Sequence, residues 1–288
     1  MHANNLHQGR YDFARLIAQL PELAEFAGPN PWGELSIDFA DANAVRALNK
    51  ALLQSDYGIS HWDLPAGYLC PPVPGRADYL HGLAALLAQD KAALVTSNVR
   101  VFDVGVGANC IYPLIGQAMF GWQFVGSDVD AKALAIAQNN VDANGLSEKI
   151  SLRMQPNRGQ IFAGVVTAED RFTLTMCNPP FHASEKDAVL ARQKKWAGLG
   201  TGDQGLNFGG YDKELWCTGG EASFIKRMIR ESVPLAAQVR WFSTLVAKSE
   251  HLPDVYKQLK KAGAQAVHTE PMAQGKKQTR FVAWRFQN

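Results

Sequence analysis

The sequence predicts an α/β fold: a doubly wound, mostly parallel seven-stranded sheet with an antiparallel C-terminal edge hairpin, preceded by a helical N-terminal region. Three observations lead there. From residue 99 onward, short apolar runs of strand length alternate with amphipathic helical segments, the pattern of a parallel sheet covered on both faces. The first 95 residues lack that alternation and carry helical spacing broken by proline and glycine. The last two strand-like runs are joined by a polar turn, which suits an antiparallel hairpin at one edge.

In order along the chain, Tyr11 to Phe26 has apolar residues at helical spacing. Asp41 is placed to cap a helix through Leu53, with Val45, Leu48, Ala51 and Leu52 on one side. Pro29, Pro31 and Gly33 interrupt the region between them. Cys70-Pro71-Pro72-Val73-Pro74-Gly75 reads as neither helix nor central strand, and Tyr79 to Ala88 reads as helix. Strands are expected at Val99–Val104, Gln123–Ser127, Ile150–Met154, Phe172–Cys177 and Val239–Val246. Helices are expected at Lys132–Asn144, Ala222–Ser232 and Val255–Ala262. The final strands, Gln265–Thr269 and Arg280–Phe286, flank Gln274-Gly275-Lys276-Lys277. Residues 1–95 are therefore expected to pack as a helical region on a catalytic-type domain of 96–288.

Composition narrows the class. With 288 residues, 47% hydrophobic and 19% charged, the chain can bury a large core. No apolar run approaches the roughly 20 residues needed to span a bilayer. The first residues lack a basic segment followed by an apolar one, so the expected location is cytoplasmic. Cys70, Cys110, Cys177 and Cys217 contain no C-x-x-C pair and read as free thiols, with no metal site. The histidines form no cluster. Net charge is +2, with 7 Lys/Arg against 10 Asp/Glu in residues 1–100 and 22 against 17 thereafter. That asymmetry suits a polyanion meeting the C-terminal part, although a charge run is usually only a solvated face.

Three motifs fall at the carboxyl ends of expected strands, where open parallel sheets bind ligands. Asp103-Val104-Gly105-Val106-Gly107-Ala108-Asn109-Cys110 follows the first strand, and its glycines let backbone approach a nucleoside closely. Cys110 stands where G-x-G-x-x-G needs its third glycine, which argues against a dinucleotide. Asp128 and Asp130 close the second strand, where a carboxylate can accept from both ribose hydroxyls. The plain alternative for them is a helix cap. Asn178-Pro179-Pro180-Phe181 closes the fourth strand with an amide, a carbonyl on a residue lacking N–H, and an aromatic face. By itself it is also a proline-rich turn.

Together these motifs resemble class I S-adenosylmethionine-dependent methyltransferases of amino groups, a Rossmann-like fold. Longer stretches narrow the resemblance. They are Cys70-Pro71-Pro72-Val73-Pro74-Gly75-Arg76-Ala77-Asp78-Tyr79, Cys110-Ile111-Tyr112-Pro113, Leu206-Asn207-Phe208-Gly209-Gly210, Glu214-Leu215-Trp216-Cys217 with Gly219-Gly220-Glu221, and Met272-Ala273-Gln274-Gly275. They are similar to the bacterial 23S ribosomal RNA adenine-N6 methyltransferase F family, from about Arg10 to the C-terminus.

That resemblance implies S-adenosylmethionine as cofactor and 23S ribosomal RNA, or a large-subunit assembly intermediate, as partner, with no metal. A monomer is expected. It implies that Arg76 pairs with the methionine carboxylate, with a surface arginine as the plain alternative. Gly105 and Asn109 line the methionine moiety, Asp103 and Gly107 belong to the same cofactor loop, Asp128 holds the ribose, and Asn157 lies near the cofactor adenine. The Asn178 side-chain oxygen and the Pro179 carbonyl would accept the two N–H bonds of the target amine while Phe181 stacks on the base. The segment 182–220 holds eight glycines with Lys186, Arg192, Lys194, Lys195 and Trp196, and reads as a mobile substrate loop or as a solvated insertion. Lys276, Lys277 and Arg280 are further phosphate-contact candidates. Glu221 reads as a helix-terminus residue rather than an acid–base catalyst. Motif chemistry leaves open a protein-glutamine or DNA-adenine methyltransferase, and a non-enzymatic RNA-binding assembly factor.

Overall fold

The computed structural model describes residues 1–90, 98–180, 217–274 and 277–287. Its main sheet has seven strands, β3 (Arg100–Val104), β4 (Gln123–Asp128), β5 (Ile150–Met154), β6 (Phe172–Cys177), β7 (Val239–Val246), β8 (Ala266–Gln274) and β9 (Lys277–Arg285), in the order β5-β4-β3-β6-β7-β9-β8. Pairing is parallel from β5 through β7 and antiparallel for β7–β9 and β9–β8. The order reverses between β3 and β6, so a crevice opens at their carboxyl ends.

The sheet's period-two pattern divides its side chains between two cores. Val101, Met176, Trp241, Phe281 and Ala283 belong to one apolar cluster, and their strand neighbours Phe102, Cys177, Phe242, Val282 and Trp284 to the other. The first face is covered by α1 (Phe13–Gln19), α2 (Ala42–Tyr57), α3 (Val73–Gln89), α4 (Ile111–Phe120) and α5 (Ala131–Ala143). The second is covered by α6 (Gly220–Ser232) and α7 (Leu252–Ala262). The N-terminal helices thus share one continuous core with the sheet.

Three expectations need correction. The Tyr11–Phe26 helix is broken: α1 stops at Gln19 and a 3₁₀ turn spans Pro21–Glu25. Leu20, ahead of Pro21, is extended at φ −132°, ψ 91°, because the proline ring excludes the helical region for the residue before it. Between α1 and α2 lies a small antiparallel hairpin, β1 (Ala27–Pro29) and β2 (Leu35–Ile37), turning through Asn30 and Gly33 where only loop was read. Finally, the Pro-rich segment does enter a helix, since α3 starts at Val73 and holds Pro74 in its first turn. A proline there forfeits no hydrogen bond, as first-turn N–H groups have no intrahelical partner. Asp41 does cap α2, accepting from Asn43 N–H, and the helix runs on to a left-handed Gly58.

A candidate active site at the sheet's switch point

Strand register assembles the site. Val104 pairs with both Ser127 and Cys177, so Gly105, Asp128 and Asn178 emerge side by side at the crevice. The chain leaves β3 through Gly105 (φ +72°) and Gly107 (φ +64°), conformations that favour glycine. A Cβ at Gly105 would meet no atom within 4 Å, so its Cα borders open space. The turn is tied to β4: Gly105 and Val106 N–H groups both donate to the Ser127 carbonyl at 2.9 Å, and Gly107 N–H donates to Asp128 Oδ2 at 3.0 Å. Cys110 then caps α4 at φ +48°.

A cavity of 370 Å³ fills this crevice. Of the residues picked out in the sequence, Arg76, Gly105, Gly107, Asn109, Asp128 and Asn178 line it. Asp103 is not among the lining residues; it is 1% exposed, one position before Val104, which does line the cavity. Pro180 rather than Pro179 is on the wall. Asn157 is not among the lining residues; its Oδ1 accepts from Gly159 N–H at 2.8 Å and shapes a turn whose Gln155 and Arg158 do line the cavity. Asn109 spends both ends of its amide on structure, accepting from Ile111 N–H and donating to the Leu69 carbonyl.

Phe181, Lys186, Arg192, Lys194, Lys195, Trp196 and Lys276 lie outside the described residues, as does the side chain of Lys277. Arg280 is half-buried, and its guanidinium donates to the Val246 and Ala247 carbonyls, which makes it a strut between strand ends. Glu221 opens α6 but joins it to the end of β7, accepting from Ala247 N–H at 2.7 Å and bonding His251 Nδ1 at 2.6 Å.

The electrostatics are unusual. Among the described residues, buried polar atoms without a hydrogen-bond partner include Arg76 Nε, both Asp103 carboxyl oxygens and Asn178 Oδ1, all at this site. Such atoms are rare in a finished interior; His81 Nε2, Thr175 Oγ1 and Arg285 Nε are others, at residues that do not line the cavity. Burial pushes the Asp103 carboxyl well above the usual range, against the pull of Arg76 and with the push of Asp128. Burial also raises Asp128, opposed by the Asp130 and Gly107 N–H groups. Arg76 donates to the Tyr112 hydroxyl at 2.6 Å and stands over that ring, and burial holds the phenol up at about 12. The thiols of Cys110 and Cys177 are pushed well up by burial, so neither is poised as a nucleophile. No group of metal-ligating side chains occurs among the described residues.

Sequence reasoning missed Tyr112, Arg158, Phe224 and Arg227 as cavity residues. Tyr112 sat in a quoted motif without a role, and Arg227 stands apart from every motif. Its one signal was the α6 pattern, in which Ile225, Met228 and Ile229 turn inward and leave Arg227 on another side.

A family model described as RNA methyltransferase matches residues 1–288. The ribosomal RNA large subunit methyltransferase F of Pseudomonas syringae pv. syringae (strain B728a) is 55% identical over 99% of this chain and 89% of its own length. The protein of the same name from Stutzerimonas stutzeri (strain A1501) is also 55% identical, over 99% of this chain and 90% of its own. Among solved structures, the hMettl16 catalytic domain in complex with the MAT2A 3′UTR hairpin 1 superposes with a TM-score of 0.85 at 32% identity, over 100% of this chain and 96% of that one. The N-terminal domain of human METTL16 in complex with SAH gives 0.80 at 31% identity, over 100% and 99%.

Proposed function

The chain belongs to the RNA methyltransferase family, with ribosomal RNA large subunit methyltransferase F proteins as its relatives, and from that premise we propose that it methylates the exocyclic N6 amino group of one adenine in 23S ribosomal RNA. The observation that carries the reading is Asn178 Oδ1: buried, unpartnered among the described residues, and on the cavity wall beside the glycine turn.

S-adenosylmethionine, when bound, supplies an electrophilic methyl group on a sulfonium. The residues present fit it. Arg76, with an unpartnered Nε, matches a carboxylate, for which a guanidinium fork is well suited. The Tyr112 hydroxyl accepts from that guanidinium and fixes it, while Asp103 acts on it only through space, without a hydrogen bond. The Gly105 turn leaves room for the methionine chain, and Asp128, fixed by two backbone N–H groups, offers its remaining lone pairs to a ribose.

An adenine amine is a poor nucleophile because its lone pair is delocalised into the ring. Asn178 Oδ1, and the carbonyl of Pro179, a buried residue that does not itself line the cavity, would accept its two N–H bonds, favour a pyramidal nitrogen, and aim it at the methyl group. Phe181, outside the described residues, would stack on the base, a contact worth ~1–3 kcal/mol in single-strand binders. With the cofactor bound, methyl transfer would form the N–C bond as the S–C bond breaks, and the surplus proton would leave the nitrogen for solvent. Orientation and fixed dipoles supply the rate. The base must first be turned out of its stack. A ribosomal substrate implies work in the cytoplasm.

Mapping N6-methyladenine in 23S RNA with and without the protein tests the target, beside labelled methyl transfer to ribosomal RNA, DNA and release-factor protein. Label in protein with RNA unlabelled would overturn the reading. Asn178→Ala is expected to retain cofactor affinity while turnover falls by about 10²–10³-fold, the usual loss for one preorganised polar group. Undiminished methylation by that variant would remove Asn178 from the chemistry.

A further inference from the structure

We infer that Arg158 and Arg227 form a phosphate clamp at the cavity rim, gripping the RNA backbone beside the target base, a role that rests on the function proposed above. Two elements distant in sequence supply them. Arg158 lies in the turn after β5, Arg227 lies on α6, and both line the cavity. Arg227 Nη1 donates to the Arg158 carbonyl at 3.4 Å. The Glu231 carboxylate accepts from Ile161 and Phe162 N–H at 2.8 and 2.9 Å, which fastens the same turn to α6.

The two guanidiniums lack the carboxylate partners that four arginines of the sheet have. Arg100 and Arg153 share Asp170, and Arg240 and Arg285 share Asp90. Among the described residues neither Arg158 nor Arg227 pairs with a carboxylate, and nor do Lys226 and Arg230 on the exposed side of α6. The acids nearby in the fold are committed. Glu231 holds backbone N–H groups, and Glu221 holds Ala247 and His251. Asp128 holds Gly107 and Asp130 N–H, and Asp130 caps α5. This wall therefore presents positive charge that no carboxylate balances among the described residues.

The cofactor does not balance that charge. S-adenosylmethionine has one carboxylate, assigned to Arg76, and no phosphate. A nucleic-acid substrate brings one phosphodiester per nucleotide, and guanidinium forks match its oxygens. Lys226 and Arg230 extend the positive strip outward along α6, as a backbone leaving the cavity requires.

The test measures affinity for a 23S ribosomal RNA transcript across a salt series, with cofactor affinity by calorimetry in parallel. Arg158→Gln and Arg227→Gln are each expected to weaken RNA binding roughly 3–10-fold and to flatten the slope of log K against log salt by about 0.7–0.9, one phosphate contact each. Cofactor affinity stays at the unmodified value. Arg227→Lys keeps the charge, so its slope stays while affinity falls. Lys149→Gln, at the opposite end of the sheet from the cavity, changes neither. Unaltered slopes in both Gln variants would overturn the clamp while leaving the proposed function standing. A loss of cofactor affinity with RNA binding intact would reassign the arginines to the cofactor. If the unmodified protein neither binds nor methylates the transcript, the clamp and the proposed function fall together.

Discussion

At the residue scale, Asp103 is costly to bury, a carboxyl 1% exposed with no hydrogen-bond partner for either oxygen among the described residues. Burial raises its folded pKa well above the unfolded value of about 4, so folding takes up a proton as pH rises past that value. The stability it permits is therefore full below about pH 4 and declines as pH climbs towards the folded pKa. Asp103→Asn cannot ionise and should escape that decline. Urea unfolding between pH 4.5 and 7.5 should show the variant gaining on the natural chain, by on the order of 1–3 kcal/mol at neutral pH, the scale of an unsatisfied buried group. Parallel pH profiles for the two would show that Asp103 does not titrate between those states. Residues of this kind were legible where a short motif closes a strand, as for Gly105, Gly107, Asp128 and Asn178, while Arg76, in α3, came from the family resemblance; all five line one cavity. Arg158 and Arg227 were not, because what joins them is a helix–turn contact across 69 residues, which no local pattern encodes.

At the element scale β3 to β7 were legible nearly to the residue, since each is a compact apolar run whose two-residue alternation serves both cores, whereas β8 and β9 extend through the expected polar turn as far as the Gln274–Lys277 pair. Prolines caused most of the errors because their meaning depends on position. Pro21 ends a helix and Pro74 starts one, and composition does not separate those cases. The β1–β2 hairpin was invisible because three-residue strands carry no periodicity. Gly82, inside α3, also departs from local preference, since alanine there would favour the helix by roughly 1 kcal/mol. The reason is tertiary: a Cβ at Gly82 would stand 2.6 Å from the Phe281 ring, which is fully buried on β9. Gly82→Ala should therefore destabilise the protein, with overpacking of about 1–3 kcal/mol outweighing the propensity gain. Chemical denaturation checks the sign, and a more stable variant would mean that the ring and helix part without cost.

At the scale of the whole molecule, the change of sequence pattern near residue 96 marks where strands begin rather than where a core ends. Leu16, Leu23, Leu52 and Leu83, all fully buried, belong to the same cluster as Val101, Leu174 and Phe281 of the sheet. Each such side chain is worth about 1.5–3 kcal/mol when removed from water, so uncovering that face costs more than a domain's net stability. The N-terminal region also reaches the cavity, because Arg76 comes from α3 and the Trp62 indole donates to the Asn109 carbonyl at 2.9 Å. Residues 1–95 are thus proposed to be part of the folding unit and part of the cofactor site. A chain starting at residue 96 should lose cooperative unfolding and cofactor binding together, whereas Arg76→Ala in the full chain should lose cofactor affinity alone. Supplying residues 1–95 as a separate chain should restore both properties if docking, rather than covalent continuity, is what the sheet needs. A 96–288 fragment that unfolds cooperatively and binds cofactor would show instead that the helices are an accessory layer, and that the carboxylate of the cofactor is held by something other than Arg76.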